Sequence, residues 1–200
     1  LGVGLVLSMQ SHTALDDVAP LVGPASEAGP LWFQLYHLGD RGHTLALVQR
    51  AHAAGYQAVV LTVDAPLQGV RDRERRAGAA AVLTGPQPHW PALHSAASPE
   101  QLLAQAPTWD DVRWLQACSP LPLLLKGITH PADARLALSL GVAGLIVSNH
   151  GGRVLDTAQP TAELLPAIAD AAQGGCALLV DGGIRRGTDV LKAMALGASA

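Results

Sequence analysis

Short apolar runs rich in valine, isoleucine and leucine recur along the chain, and a segment with helical periodicity separates most of them from the next. The runs are continuous rather than alternating, which is typical of parallel strands whose two faces are both covered. Six strands are predicted in this way, at residues 2–8, 31–36, 58–64, 123–126, 144–149 and 177–181.

The intervening segments carry the start and stop signals of helices. They open with Thr, Asp or Pro, or they close at Gly or a loop, as helix capping requires. The predicted helices begin at about residue 13 and cover residues 40–55, 108–117, 131–141, 161–172 and 188–197. Alternating strands and helices predict an α/β fold with sequential parallel strands and right-handed crossovers. Periodicity alone is compatible with both an open doubly wound sheet and a closed (β/α) barrel.

One segment, residues 79–107, interrupts this rhythm. It is rich in Pro, Ala and Ser, and it carries His89, Trp90 and His94 with little periodicity. A segment of this length in a compact domain predicts a lid-like or partly disordered loop. No other boundary or repeat is visible, so residues 1–200 are interpreted as one domain.

Composition excludes several classes of function. A content of 49% hydrophobic residues indicates a globular chain, and a net charge of −3 with scattered Lys and Arg leaves no basic stripe for a nucleic acid. Cys118 and Cys176 lack disulfide or metal-type spacing, which favours a reducing compartment, and we therefore expect a cytoplasmic protein without a metal site. No apolar run is long enough to predict a membrane anchor.

Polar residues end nearly all of the predicted strands. Ligands of β/α folds bind at the carboxyl ends of the strands. One such residue alone is most simply explained as a satisfied cap, but six strands with the same feature predict a shared site. The residues concerned are Ser8, Gln34, Tyr36, Thr62, Asp64, Lys126, Ser148, His150 and Asp181. Among them, His150 with Asp64 fits a general base oriented by a carboxylate.

Two further groups point to anion binding. The glycine-rich segment 181–188 opens a predicted helix, where backbone N–H groups and Arg185 could hold a phosphate, although an ordinary glycine turn with a Thr cap is the alternative. A carboxylate substrate is best held by a cation that contacts both of its oxygens, as a guanidinium group does, and Arg71 and Arg153 are the candidates for this role. Arg71 lies in a charged run typical of solvated surface, so the sequence alone favours Arg153, which follows His150-Gly-Gly.

Five motifs together resemble the FMN-dependent α-hydroxy-acid oxidase and dehydrogenase family, to which glycolate oxidase, lactate oxidase and mandelate dehydrogenase belong. They are Trp-Phe-Gln-Leu-Tyr at residues 32–36, Leu-Thr-Val-Asp-Ala-Pro at 61–66, Leu-Leu-Lys-Gly at 124–127, Ser-Asn-His-Gly-Gly-Arg-Val-Leu-Asp at 148–156, and Asp-Gly-Gly-Ile-Arg-Arg-Gly-Thr-Asp-Val at 181–190. They occur in order along essentially the whole chain, and the Ser-Asn-His-Gly-Gly-Arg segment is the most specific.

The resemblance implies a TIM (β/α)8 barrel, bound FMN, and a role for each matching residue. The implied flavin contacts are Ser8, Gln34, Thr62, Lys126 and Ser148, followed by a ribityl and phosphate clamp of Asp181, Gly183 and Arg185. The implied substrate-binding residues are Tyr36, Arg71, His150 and Arg153, and the implied catalytic residues are His150, Asp64, Tyr36 and Lys126. The choice between hydride transfer and a carbanion route stays open.

Departures from the family pattern refine these expectations. Gln10 stands where glycolate oxidases carry an aromatic residue, which argues against glycolate, and residues 69–74 look closer to lactate and hydroxymandelate oxidases. By comparison with the family, residues 1–200 are expected to hold strands two to seven of eight, with the first and last strands outside them.

The sequence therefore predicts FMN-dependent oxidation of an L-2-hydroxy acid to the 2-oxo acid by a full-length protein that is a homo-oligomer. One alternative is another FMN barrel such as isopentenyl diphosphate isomerase, which leaves His150 and the two arginines unexplained. A second alternative is an inactive truncated paralogue or fragment. The electron acceptor, whether oxygen, a quinone or a cytochrome, stays open.

Overall fold

The computed structural model describes residues 3–23, 29–67, 69, 72, 76, 78, 86–90 and 98–200. Six strands form one sheet in the order β1 to β6, and every neighbouring pair is parallel. They are β1 (Leu5–Ser8), β2 (Leu31–Tyr36), β3 (Ala58–Thr62), β4 (Leu123–Ile128), β5 (Gly144–Val147) and β6 (Ala177–Val180). All six predicted strands are confirmed, and only their ends differ from the prediction.

The described residues also form seven α-helices and a short 3₁₀ turn at His150–Gly152. The helices are α1 (Leu15–Val22), α2 (Arg41–Ala53), α3 (Pro99–Ala104), α4 (Trp109–Cys118), α5 (Pro131–Ser139), α6 (Thr161–Ala172) and α7 (Gly187–Ala195). The caps agree with the sequence in part. The Asp40 carboxylate accepts the His43 N–H at 3.0 Å at the start of α2, whereas α6 and α7 have Pro160 and Arg186 at their N-cap positions instead of a threonine.

Helix α3 was not predicted, because it lies inside the segment interpreted as a loop. Its start is a capping box, in which Ser98 Oγ accepts the Gln101 N–H and Gln101 Oε1 accepts the Ser98 N–H at 2.8 Å. A serine followed three residues later by glutamine is the sequence signature of this motif. The signal was therefore present, but six residues are too few to show periodicity.

The two faces of the sheet are covered differently, and this decides between the two architectures. On one face, strand residues such as Phe33, Leu61 and Leu125 pack with apolar residues of the surrounding helices. On the other face, a small inner cluster contains strand residues only, namely Ala58, Val60, Leu124 and Ile146 with Trp32 and Leu179 against them. A doubly wound sheet has helices on both faces and a rearranged strand order. One-sided helices and sequential strands are instead the arrangement of a barrel, and the described sheet is a half-barrel.

The β1 edge of the half-barrel is open within the described part of the chain. The β6 edge is partly paired, because the Ser199 N–H donates to Leu178 O at 2.6 Å and the Val180 N–H donates to Ala200 O at 3.2 Å. Leu5 and Val6 of β1 are 42% and 46% exposed, whereas residues of the central strand β3 are buried. Next to β6, helix α7 contains no buried residue and exposes Leu191 and Met194. Unpaired edges with apolar side chains are unfavourable in water, so we expect further structure to cover them.

Candidate functional site

A layer of polar side chains lies at the carboxyl end of the inner face. Each member stands two residues after a member of the inner cluster, and side chains two apart on a strand share a face. The layer consists of Gln34, Thr62, Lys126, Ser148 and Asp181. The half-barrel therefore brings together the strand-end residues that the sequence singled out, on one surface above an apolar floor.

At the β1 side of this surface, the polar groups form a continuous hydrogen-bonded row. Ser8 Oγ donates to Gln34 Oε1 at 2.9 Å, and Gln34 Nε2 donates to Thr62 Oγ1 at 2.9 Å. Ser8 Oγ also accepts the backbone N–H of Gln10 at 3.1 Å. Gln34 and Thr62 are buried, so these bonds fix their side chains in one orientation.

Lys126 lies at the centre of the surface and carries its positive charge. Its Nζ donates to Ser148 Oγ at 2.8 Å and lies 3.3 Å from Asp181 Oδ2. Asp181 Oδ1 is buried and has no hydrogen-bond partner among the described residues. A buried carboxylate oxygen without a donor is unfavourable, so this atom is suited to accept a hydrogen bond from a bound molecule.

His150 and Asp64 form the pair expected of an oriented base. His150 Nδ1 lies 2.9 Å from Asp64 Oδ1, and both side chains are largely buried. Because a carboxylate only accepts hydrogen bonds, Nδ1 carries the proton of this contact, and in the neutral form of the ring the lone pair lies at Nε2. The His150 backbone adopts φ 57°, which is unfavourable for a residue with a side chain and is often retained at functional sites. Its N–H donates to Ser148 Oγ at 3.1 Å, which ties the pair to the Lys126 group.

The glycine-rich segment after β6 is open and exposed, but part of its backbone is already engaged. Gly183 has φ 76°, a Cβ on this residue would meet no heavy atom within 4 Å, and Arg185 is exposed. The N–H groups of Arg185 and Arg186 both donate to Asp189 Oδ2, at 3.1 and 3.0 Å. Asp189, which the sequence interpretation overlooked, therefore caps α7. Its position in the first turn of the helix is the signal that could have identified it.

The proposed substrate residues are described only in part. Tyr36 ends β2 next to Thr62, and Arg153 follows the 3₁₀ turn, with its N–H donating to His150 O at 3.2 Å. Arg71 lies outside the described residues. Gly69 packs so closely on the neighbouring backbone that a Cβ there would lie 2.3 Å from Arg153 O. The geometry fixes where Tyr36 and Arg153 lie, and the roles of all the proposed substrate residues stay predictions.

Two other kinds of site are not found among the described residues. No group of three or more His, Cys, Asp or Glu in this part of the chain could hold a metal ion. Within the same residues, no helix is long and apolar enough to cross a membrane.

Comparison with known proteins assigns the family. The chain matches the FMN-dependent dehydrogenase family over residues 1–200. It is 47% identical to an L-lactate oxidase of Nostoc sp., and the match covers 100% of this chain and 58% of that relative. It is 43% identical to a 4-hydroxymandelate oxidase of Amycolatopsis orientalis, and that match covers 100% of this chain and 57% of the relative. A solved structure of mandelate oxidase with benzoyl-formic acid superposes with a TM-score of 0.82 at 44% identity, covering 100% of this chain and 54% of that one. The chain thus spans little more than half the length of these relatives, and it belongs to the FMN-dependent dehydrogenase family, whose cofactor is FMN.

Proposed function

We propose that the full-length protein containing this chain oxidises an L-2-hydroxy acid to the 2-oxo acid, with FMN as cofactor and His150 as the base. The observation that carries this proposal is the 2.9 Å contact between His150 Nδ1 and Asp64 Oδ1 beside the Lys126 group. The names of the relatives, L-lactate oxidase and 4-hydroxymandelate oxidase, support the substrate class.

The described residues fit the cofactor that the family uses. The hydrogen-bonded row of Ser8, Gln34 and Thr62 offers oriented polar atoms above an apolar floor, which suits the edge of a flavin ring. Asp181 Oδ1, which has no partner among the described residues, suits a ribityl hydroxyl, and the open Gly183 with the exposed Arg185 side chain suits a phosphate. FMN, when bound, supplies a two-electron acceptor, and the Lys126 charge with its Ser148 partner would stabilise negative charge on it.

The proton chemistry falls to His150. Nε2 receives a proton from the substrate, because Nδ1 is already hydrogen-bonded to Asp64. The ring then becomes an imidazolium beside the Asp64 carboxylate, which stabilises the positive charge that forms. Both hydride transfer and a carbanion route need such a base, so the proposal applies to either.

Arg153 and Arg71 would bind the substrate carboxylate, with the Tyr36 hydroxyl as a further polar contact. Guanidinium groups suit this task because their planar N–H pairs match a carboxylate at two points. Gln10 follows Ser8 at the end of β1, so its side chain is proposed to contribute to the choice among 2-hydroxy acids.

The finer points of architecture belong to the same proposal. The six strands are proposed to be strands two to seven of a (β/α)8 barrel, because the β1 edge is open, residues 199–200 begin a further pairing beside β6, and barrel relatives superpose on the whole chain. Residues 79–107 are proposed to form a lid-like segment, and the full-length protein is proposed to be a homo-oligomer.

A flavin spectrum tests the proposed function. Purified full-length protein is expected to show flavin absorbance that bleaches on anaerobic addition of L-lactate or (S)-mandelate, with D-lactate as the control. Absence of flavin would support the alternative of an inactive paralogue. Bound flavin that none of a panel of L-2-hydroxy acids reduces would contradict the proposed reaction.

A further inference from the structure

Strand β4 contains an irregularity directly after Lys126. Lys126 pairs with Ile146 of β5, and the next aligned pair is Ile128 with Val147, so Gly127 is an extra residue in the ladder. Gly127 has φ 106°, a backbone conformation that side chains disfavour. This bulge is located at the end of β4, inside the candidate site, where bulges commonly direct side chains.

The bulge lies against Asp64. A Cβ on Gly127 would lie 2.5 Å from Asp64 Cβ, 2.6 Å from Cγ and 2.9 Å from the backbone N. These distances are far below van der Waals contact, so only glycine allows the two chain segments to approach this closely. The adjacent Val63 N–H donates to Lys126 O at 2.9 Å, which holds the two segments together.

The same contact restrains the Asp64 carboxylate. Its Cβ and Cγ rest on the Gly127 backbone while Oδ1 reaches His150 Nδ1, and Oδ2 is buried without a partner among the described residues. No described hydrogen bond to Oδ2 therefore orients this carboxylate from its other side. Packing against the backbone of the bulge restrains the carboxylate on that side instead.

We propose that Gly127 is a positioning residue for the Asp64–His150 pair: its missing side chain lets the β4 bulge fix the carboxylate that orients the base. The inference rests on the proposed function for its kinetic consequence, but not for its structural one. Gly127→Ala would push the carboxylate away from Nδ1, and a misplacement of about 1 Å can cost about 10²-fold in rate.

The chain offers a closely matched control in Gly197. It has φ 108°, and a Cβ there would lie 2.5 Å from Ala169 Cβ, between α7 and α6 and away from the polar layer. Gly197→Ala therefore imposes similar backbone strain and a similar overlap without contacting the pair. Any loss specific to Gly127→Ala is then not a general effect of strained glycine replacement.

The experiment compares G127A, G197A, D64N and the G127A/D64N double variant in the full-length holoenzyme. Flavin reduction by L-lactate or (S)-mandelate is followed by anaerobic stopped flow, and the downfield proton resonance of the His150 Nδ1–H is followed by NMR. G127A is expected to lose about 10²-fold in reduction rate, and G197A less than about threefold. Adding G127A to D64N is expected to cost less than about threefold further, because Gly127 and Asp64 act through the same interaction. The Nδ1–H resonance is expected to shift or vanish in G127A and D64N and to persist in G197A.

Three outcomes would overturn the proposal: an undiminished loss from G127A in the D64N background, an equal loss from G197A, or an unchanged Nδ1–H resonance in G127A. If G127A does not fold, D64E tests the contact from the other side without straining the glycine. If packing against Gly127 confines the carboxylate, D64E should lose nearly as much of the reduction rate as D64N and should shift the Nδ1–H resonance. A near-normal reduction rate and resonance in D64E would contradict the proposal. If no 2-hydroxy acid reduces the wild-type flavin, the proposed function fails, while the NMR comparison still decides on Gly127.

Discussion

Replacement of His89 by leucine tests how the described part of the 79–107 segment is attached to the half-barrel. His89 is fully buried, its Nε2 accepts the Leu15 N–H at 2.9 Å, and its Nδ1 lies 3.2 Å from Met9 O. Since Nε2 accepts, the ring is neutral with its proton on Nδ1. The edge of the ring also packs against Phe33, with centroids 5.3 Å apart.

The expected cost follows from the two groups left behind. Leu15 and Met9 are themselves fully buried, so His89→Leu leaves an N–H and a carbonyl without partners. Each such group costs about 1–3 kcal/mol, so a total of about 3 kcal/mol is expected. His89→Gln, which can still accept from Leu15, should lose about half as much.

The stabilisation by His89 is expected to depend on pH in a definite direction. Burial lowers the pKa of His89 from its ordinary value of 6.5, while the hydrogen bond to Met9 opposes that shift. The unfolded chain therefore binds this proton more readily, and the stability contributed by neutral His89 is present above pH 6.5 and is lost as the pH falls below it. The difference in unfolding free energy between wild type and His89→Leu should accordingly narrow from pH 7 to pH 5.

Urea unfolding of the full-length protein at several pH values is the assay, with His52→Leu on the exposed surface of α2 as the control. The control should change the free energy of unfolding by no more than about 0.5 kcal/mol. A difference between wild type and His89→Leu that stays constant or widens toward pH 5 would refute the assignment of His89 as a neutral buried link.

Three further predictions concern the site and the open edges. Arg153→Lys should retain FMN and raise KM for the 2-hydroxy acid about tenfold or more, because an ammonium group cannot contact a carboxylate at two points. An unchanged KM in steady-state kinetics would show that Arg153 does not bind substrate. Lys126→Met should lower the flavin reduction potential measured by spectroelectrochemistry, because it removes the cation, 3.3 Å from Asp181 Oδ2, that is proposed to stabilise negative charge on the flavin. An unchanged potential would contradict that role of Lys126. Residues 1–200 alone should aggregate or associate on size-exclusion chromatography, because β1 is an unpaired edge and residues 199–200 pair with only part of β6. A monomeric peak with stoichiometric FMN would mean that the edges are covered in another way.

The positions of the strands and of the strand-end residues could be predicted because each depends on local sequence. A run such as residues 58–61 is apolar throughout, and Thr62, the polar residue that ends it, must lie at the carboxyl edge of a parallel sheet. The choice between a barrel and a doubly wound sheet could not be made from periodicity, because it depends on which residues, such as Val60 and Leu124, meet on a face without helices.

The contacts that position the site were beyond the sequence for the same reason. His89 binds Leu15 across 74 residues, and nothing in the local sequence marks that partner. Gly127 appears in a motif, but its close approach to Asp64 exists only once β3 and β4 are paired with a bulge. Asp189 and α3 were different, since local capping signals marked both and were overlooked.

The central claim is that His150 is the base, and the most direct test is the rate of flavin reduction in His150→Gln. In the full-length protein this variant should retain FMN and lose about 10²–10⁴-fold or more in anaerobic single-turnover reduction by L-lactate or (S)-mandelate, because it lacks the Nε2 lone pair held by the contact to Asp64. His52→Gln serves as the matched histidine control and should reduce its flavin at the wild-type rate. A His150→Gln variant that binds FMN and is reduced at a near-normal rate would contradict the account.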